Sequence, residues 1–292
     1  MKSKLSILYF LIAALDSFVY SQETNALLWK IESTKTKEVS YLFGTIHMIP
    51  EKDFFLPKGT EVALSQSQKI VLEVDLKEMT DAGQLFGLMN KLTMNSDTTI
   101  SMLMSKEDYS LVTKKLEEIG LPIQFFERMK PMFLSSMLQA GDLGGTDEGN
   151  LKSYEFAFQD YADTTHKSIE GLESLEFQIS IFDTIPYSIQ AKALVSQLKN
   201  DEKEKDGFQK LIQFYQAQNL EALSSEIQND DSELKPYLDL LLYKRNEKWI
   251  PKMETLMSQG SCFFAVGAGH LSGPKGVLQL LKNKSYKVSP VQ

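Results

Sequence analysis

The sequence predicts an α/β fold: a mixed sheet, parallel at its centre, with helices on both faces and a mostly helical cap region over about residues 79–258. Three observations carry this. Residues 41–46, 69–75 and 262–266 are short apolar runs with the β-branched and aromatic content of buried strands. Two of these runs break into the same motif, Gly-x-x-His, as Gly44-Thr45-Ile46-His47 and Gly267-Ala268-Gly269-His270. Between them the chain runs mainly in helical periodicity.

Taken in order, the chain opens with a stretch that reads as a secretory signal. Lys2 and Lys4 form a basic start, residues 5–15 an apolar core, and Val19 and Ser21 stand at the small-residue positions, so cleavage is expected after Ser21. The apolar run is shorter than the roughly 20 residues of a membrane span, and Asp16 interrupts it. No cysteine lies beside the cleavage point, which excludes a lipid anchor there. An exported protein, periplasmic or secreted, with no stable membrane span after signal removal is therefore expected, and residues 22–292 read as a single domain.

Residues 27–33 and 39–46 flank a polar turn and read as a hairpin. Residues 48–57 form a loop with prolines near its ends, and residues 60–67 a short helix. The strand at 69–75 would carry Val71, Glu73 and Asp75 on one face. A carboxylate inside such an apolar run is costly to bury unless it is paired or holds a metal. In the helical half, Ser105 with Asp108 forms a capping box for a helix closing at Gly120. The methionines Met89, Met94, Met102, Met104, Met129, Met132 and Met137 crowd this half and read as core filler or as a pliable groove. Residues 143–147 form a glycine-rich loop before a helix expected from Asn150. It lacks the Gly-Lys-Ser/Thr of a phosphate loop. Residues 167–170 are a short strand, and the charge run 200–206 a solvated turn or helix start. Residues 208–239 read as amphipathic helices broken near Asn219 and Asp230. After residues 262–266, Gly267-Ala268-Gly269 offers positive φ and close backbone approach, and residues 286–289 add a last strand.

Composition narrows the function classes. The chain carries a net charge of −8, so no basic surface supports a nucleic-acid partner. Cys262 is the only cysteine, and its aromatic neighbours mark it as a buried small hydrophobe rather than a nucleophile. His166 lies in a polar segment and reads as a surface histidine. There is no His-Glu-x-x-His helix, no Gly-x-Ser-x-Gly elbow and no Cys/His pairing signature. Two imidazoles at matching strand ends remain, and a divalent metal held by two imidazoles and a carboxylate is the usual plan of a hydrolytic site; from the residues alone Glu73 could equally face solvent on an edge strand.

The G-T-I-H of residues 44–47, the V-G-A-G-H-L of 266–271 and the Y-K-V-S-P of 286–290 resemble the TraB/GumN family, which includes the Tiki metalloproteases. The resemblance covers essentially the whole chain beyond the signal and is looser in the middle. It implies His47 and His270 as metal ligands, with Glu73 as a third ligand or general base. It places Asp147 beside the site through a Gly-x-Asp segment, although Thr146 stands where a hydrophobic residue is usual. It implies a site role for Glu173 in G-L-E-S followed by Gln178, and for Arg245 and Asn246 in R-N-x-x-W. Gly44, Gly267 and Gly269 would line the site. The implied activity is metal-dependent peptide hydrolysis supported by manganese or cobalt, with zinc possible, on a peptide or small-molecule substrate. Arg245 would neutralise an oxyanion, hold a substrate carboxylate, or pair with an acid. Two alternatives stay open. One is a protein that binds haem, a metal or a peptide without turnover. The other is a metal-free esterase resembling erythromycin esterases.

Overall fold

The structure is a computed structural model that describes residues 25–33, 38–79, 82–144, 150–229 and 231–291. The segment expected to be a signal, Asp147 and Asp230 lie outside these residues. Strands β1 (Leu28–Glu32) and β2 (Val39–Thr45) pair antiparallel, from Leu28 opposite Phe43 to Glu32 opposite Val39. A two-residue strand β3 (Ile49–Pro50) precedes helix α1 (Thr60–Gln66) and strand β4 (Lys69–Leu72). Helices α2 (Ala82–Leu92), α3 (Lys106–Glu118) and α4 (Pro131–Gly144) begin the helical half. Strand β5 (Leu151–Lys152), helix α5 (Tyr154–Thr165) and strand β6 (Ser168–Gly171) return the chain to the sheet. Helices α6 (Leu175–Ile181), α7 (Tyr187–Lys199), α8 (Asp201–Gln216) and α9 (Leu220–Asn229) follow. A π-helical turn (Asp239–Tyr243) runs into α10 (Lys244–Gln259), and β7 (Cys262–Gly267), α11 (Val277–Asn283) and β8 (Lys287–Pro290) close the fold.

The six-stranded sheet has the order β6-β4-β7-β2-β1-β8. Its first four strands are mutually parallel, whereas β1 runs antiparallel to both β2 and β8. Parallel strands need both faces covered, and β7 accordingly buries Cys262 to Val266 completely. Helix α5 lays Phe158 against Phe43 and Phe263, edge to face, at ring separations of 5.3 and 5.1 Å. Trp249, Met253, Val277 and Leu281 from α10 and α11 join the same core. The helical half builds a second cluster from Leu92, Ile100, Val112, Leu116, Leu134, Leu138 and Leu194.

Several expectations need correction. Strand β4 ends at Leu72 rather than Asp75, so the alternation of Val71, Glu73 and Asp75 on one face does not hold. Glu73 and Val74 form a bend beyond the strand, although the Glu73 carbonyl still takes the N–H of Glu173 at 2.9 Å. Residues 150–152 are extended, not helical. Ser153 then caps α5 by accepting the N–H of Phe156. Gly267 has φ of −52° and Gly269 is not among the positive-φ glycines, so that turn needs no left-handed backbone. Among the methionines Met94 and Met129 are core, but Met89 and Met102 are exposed. Cys262 is fully buried, and burial pushes its thiol up to about 12. His166 closes α5 in the left-handed region, exposed. Among the described residues no helix is long and apolar enough to cross a membrane.

Candidate active site

Each of the four parallel strands delivers one chemistry-bearing side chain just beyond its carboxyl end: His47 after β2, His270 after β7, Glu73 after β4 and Glu173 after β6. The register explains the meeting. Gly44 lies opposite Val266, and Thr45 opposite Gly267, so the two Gly-x-x-His turns leave the sheet side by side. Ligands in open α/β sheets bind outside these strand ends. Gly44 permits the turns to pack closely. A β-carbon there would stand 3.2 Å from Ala268 Cα and 3.0 Å from Leu271 Cδ2.

The centre closes around Gly267. A β-carbon on this residue would lie 3.3 Å from Glu73 Oε1, 3.5 Å from His270 Cδ2 and 4.0 Å from His47 Nε2. Its N–H donates to Glu73 Oε1 at 2.8 Å, and His270 Nε2 lies 3.7 Å from the same oxygen. Gly44 and Gly269 flank this point. Among the expected residues His47, Glu73, Glu173, Arg245, Asn246 and His270 are all brought to it, whereas Asp147 is outside the described residues.

Helix α10 contributes a second layer through Arg245, Asn246 and Trp249, which share the face turned to the strand ends. Arg245 Nη2 donates to Glu73 Oε2 and to Glu173 Oε1, each at 2.5 Å. Its Nε donates to Glu173 at 3.0 Å, and its Nη1 donates to Leu241 O at 3.0 Å and to His270 Nε2 at 3.2 Å. All five N–H groups of the guanidinium thus have partners. Leu241 belongs to the π-helical turn, a feature common at functional sites. Gln178 reaches both glutamates at 3.3 Å, and Trp249 Nε1 donates to Glu173 Oε2 at 3.0 Å.

Asn246 decides the state of His270. Its Nδ2 donates to the carbonyls of His270 and Lys275, so its Oδ1 is an acceptor, and it lies 2.6 Å from His270 Nδ1. The proton of the imidazole therefore sits on Nδ1 and the lone pair of Nε2 faces the centre. Burial holds this imidazole down at about 3, neutral at pH 7. Burial also works to raise the Glu73 carboxyl, but neighbouring positive charge outweighs it and holds the group at about 2. At the low pH where Glu73 takes up its proton His270 is itself charged, and His270, then Arg245 and His47, together with the N–H of Gly267, are what lower the carboxyl.

His47 is different. Its side chain is 69% exposed, and its Nδ1 lies 3.0 Å from Glu155 Oε1. The hydrogen bond to Glu155 raises this imidazole above its ordinary value, although the solvent reaching the ring screens part of that pull. Glu155 has no distinguishing mark in the sequence, because an acid in the first turn of a helix is the ordinary complement to the macrodipole. Trp249 and Gln178 were legible only through the family resemblance of R-N-x-x-W and of G-L-E-S followed by a glutamine.

The donors fit a divalent ion in kind: two imidazole Nε2 atoms and one carboxylate oxygen, each imidazole held at Nδ1 by a fixed acceptor, as metal-ligating histidines are. Their present spacing does not close around one. Among the described residues no three His, Cys, Asp or Glu groups stand in metal-holding arrangement. Arg245 Nη1 occupies the lone pair of His270.

A profile of the TraB/PrgY/gumN family matches residues 27–290. The chain is similar to Metalloprotease TIKI2 of Danio rerio, 22% identical over 328 residues, which covers 94% of this chain and 62% of the relative. It is 23% identical over 318 residues to Metalloprotease TIKI1 of Homo sapiens, covering 91% of this chain and 62% of that protein. A Metalloprotease TIKI homolog of Nematostella vectensis is 21% identical over 351 residues, covering 98% and 71%. The chain spans about three-fifths of the length of the first two relatives. No solved structure matches.

Proposed function

The chain belongs to the TraB/PrgY/gumN family, and we propose that it is a metal-dependent hydrolase, a peptidase of the Tiki type, exported to the periplasm or secreted. The observation that carries this reading is the convergence of His47 Nε2, the His270 ring and Glu73 Oε1 on the point a β-carbon of Gly267 would occupy, beside two glutamates that share a single arginine. The names of the relatives support a metal in this group. Manganese or cobalt is the ion proposed.

The two Nε2 atoms and Glu73 Oε1 would hold the ion. When bound, it supplies Lewis acidity towards a scissile carbonyl and acidifies water. The protein's own residues then have separable tasks. Asn246 keeps His270 in the Nδ1–H tautomer, so that Nε2 presents a lone pair. Gly267 N–H and Arg245 hold the two oxygens of Glu73 apart, Oε1 towards the histidines and Oε2 towards the guanidinium. That division favours a ligand role for Glu73. Glu173 and Trp249 anchor Arg245 from behind. With His270 Nε2 holding an ion, the Arg245 Nη1–H that donates to it in this structure would be the donor offered to an oxyanion.

A metal-free hydrolase is the second reading, and the Arg245–His270 hydrogen bond is what favours it. Assays on a peptide library with manganese or cobalt, with and without chelator, separate the two. The expected result is cleavage that chelation abolishes and that His47→Ala, His270→Ala and Glu73→Gln each lose. Turnover that survives chelation would transfer support to the second reading.

A further inference from the structure

We propose that Glu155 is a positioning residue that fixes the His47 ring through Nδ1, so that Nε2 faces Glu73 and His270. The consequence for metal binding rests on the reading above; the geometry does not. His47 stands on an exposed turn, whereas His270 is buried and clamped by Asn246. Among the described residues, the hydrogen bond that orients the His47 ring is the one to Glu155 Oε1.

Glu155 is built to receive it. Its side chain is only 15% exposed. Thr45 Oγ1, on β2 two residues before His47, donates to the same Oε1 at 2.9 Å. Ser153 Oγ donates to Oε2 at 2.8 Å. Two hydroxyls therefore hold the carboxylate in place whether or not the imidazole is present. The backbone supplies the same register. β3 begins two residues after His47 and β5 ends three residues before Glu155, and these strands pair antiparallel, Ile49 with Lys152 and Pro50 with Leu151. The small second sheet thereby sets the distance between the histidine and its acceptor.

A surface ion pair of this kind would ordinarily contribute little. Three converging donors on one sheltered carboxylate, two of them independent of the histidine, are what set this one apart. The buried histidine uses an amide oxygen as its anchor and the exposed one uses a carboxylate, and both leave Nε2 directed inward.

The test has two arms on wild type, Glu155→Ala and Glu155→Gln, with folding checked by thermal unfolding. The first arm reads the neutral His47 ring of the metal-free protein by long-range proton–nitrogen correlation at alkaline pH. The Nδ1–H tautomer is expected in wild type and in Glu155→Gln, whose amide oxygen still accepts, and the Nε2–H tautomer in Glu155→Ala. The second arm titrates manganese, and Glu155→Ala is expected to bind about 10- to 100-fold more weakly than wild type, with Glu155→Gln in between. An Nε2–H ring in wild type, or a tautomer that Glu155→Ala leaves unchanged, overturns the proposal. So does manganese affinity equal to wild type in Glu155→Ala. If wild type takes up no manganese, the metallohydrolase reading fails, and the first arm still judges Glu155.

Discussion

Arg245 is the residue whose loss the site should tolerate least. It is buried between Glu73 and Glu173, whose side chains are 7% and 5% exposed. Arg245→Met would leave two sheltered carboxyl groups facing each other with no counter-charge. Removing one partner of a buried pair costs about 3–5 kcal/mol, and chemical denaturation should show a loss of that order. Arg245→Lys should restore little of it, because an ammonium is a point charge and cannot span both carboxylates as the planar fork does. A loss under about 1 kcal/mol, the scale of an exposed pair, would mean that the cluster is solvated. His270 makes a pH prediction for protein kept metal-free with chelator. Its folded value of about 3 lies below the ordinary 6.5. The unfolded chain therefore binds a proton that the folded site refuses, and stability falls as pH drops from 6.5 towards 3. The slope from one proton is about 1.4 kcal/mol per pH unit. His270→Gln should remove that component. An unchanged slope in the variant would place the acid sensitivity elsewhere.

At the level of elements, the two glycines of the histidine turns have different tasks. A methyl group on Gly44 would press on the backbone of Ala268, forcing apart two packed turns, so Gly44→Ala should destabilise by about 1–3 kcal/mol. Gly267 has a backbone that alanine accepts, and its added methyl would meet the movable carboxylate of Glu73. Gly267→Ala should therefore leave the unfolding midpoint nearly unchanged while weakening manganese uptake. The reverse pattern would contradict the roles given to the two turns. The elements themselves were legible where hydrophobic pattern and turn chemistry agreed, as in β2, β7 and the Ser105 cap, whose hydroxyl accepts the N–H of Asp108. They were misread where long-range pairing overrides local signal. Val74 and Asp75 continue the β pattern, yet the bend at Glu73 takes them out of the strand. Leu151 and Lys152 look like the start of a helix until Ile49 and Pro50 pair with them. Glu155 is the plainest case, since its importance comes from a partner 108 residues away.

Across the whole molecule, the parallel half of the sheet acts as a frame that brings four distant parts of the chain to one edge. His47 and His270 are separated by most of the sequence, yet the pairing of β2 with β7 seats them on neighbouring turns. Repetition of Gly-x-x-His at strand ends made that convergence readable in advance. The participation of Arg245 and Asn246 was readable only through resemblance, because their helix reaches the site by tertiary packing behind the π-helical turn. On the function proposed, these strand ends form one cation site. The most direct measurement is elemental analysis of the untagged protein after manganese loading, beside His47→Ala and His270→Ala. Wild type is expected to hold about one ion per chain and either variant to lose it, since a site of few ligands forfeits its geometry with each one. A wild-type protein that remains metal-free after loading would rule out a cation site at these strand ends.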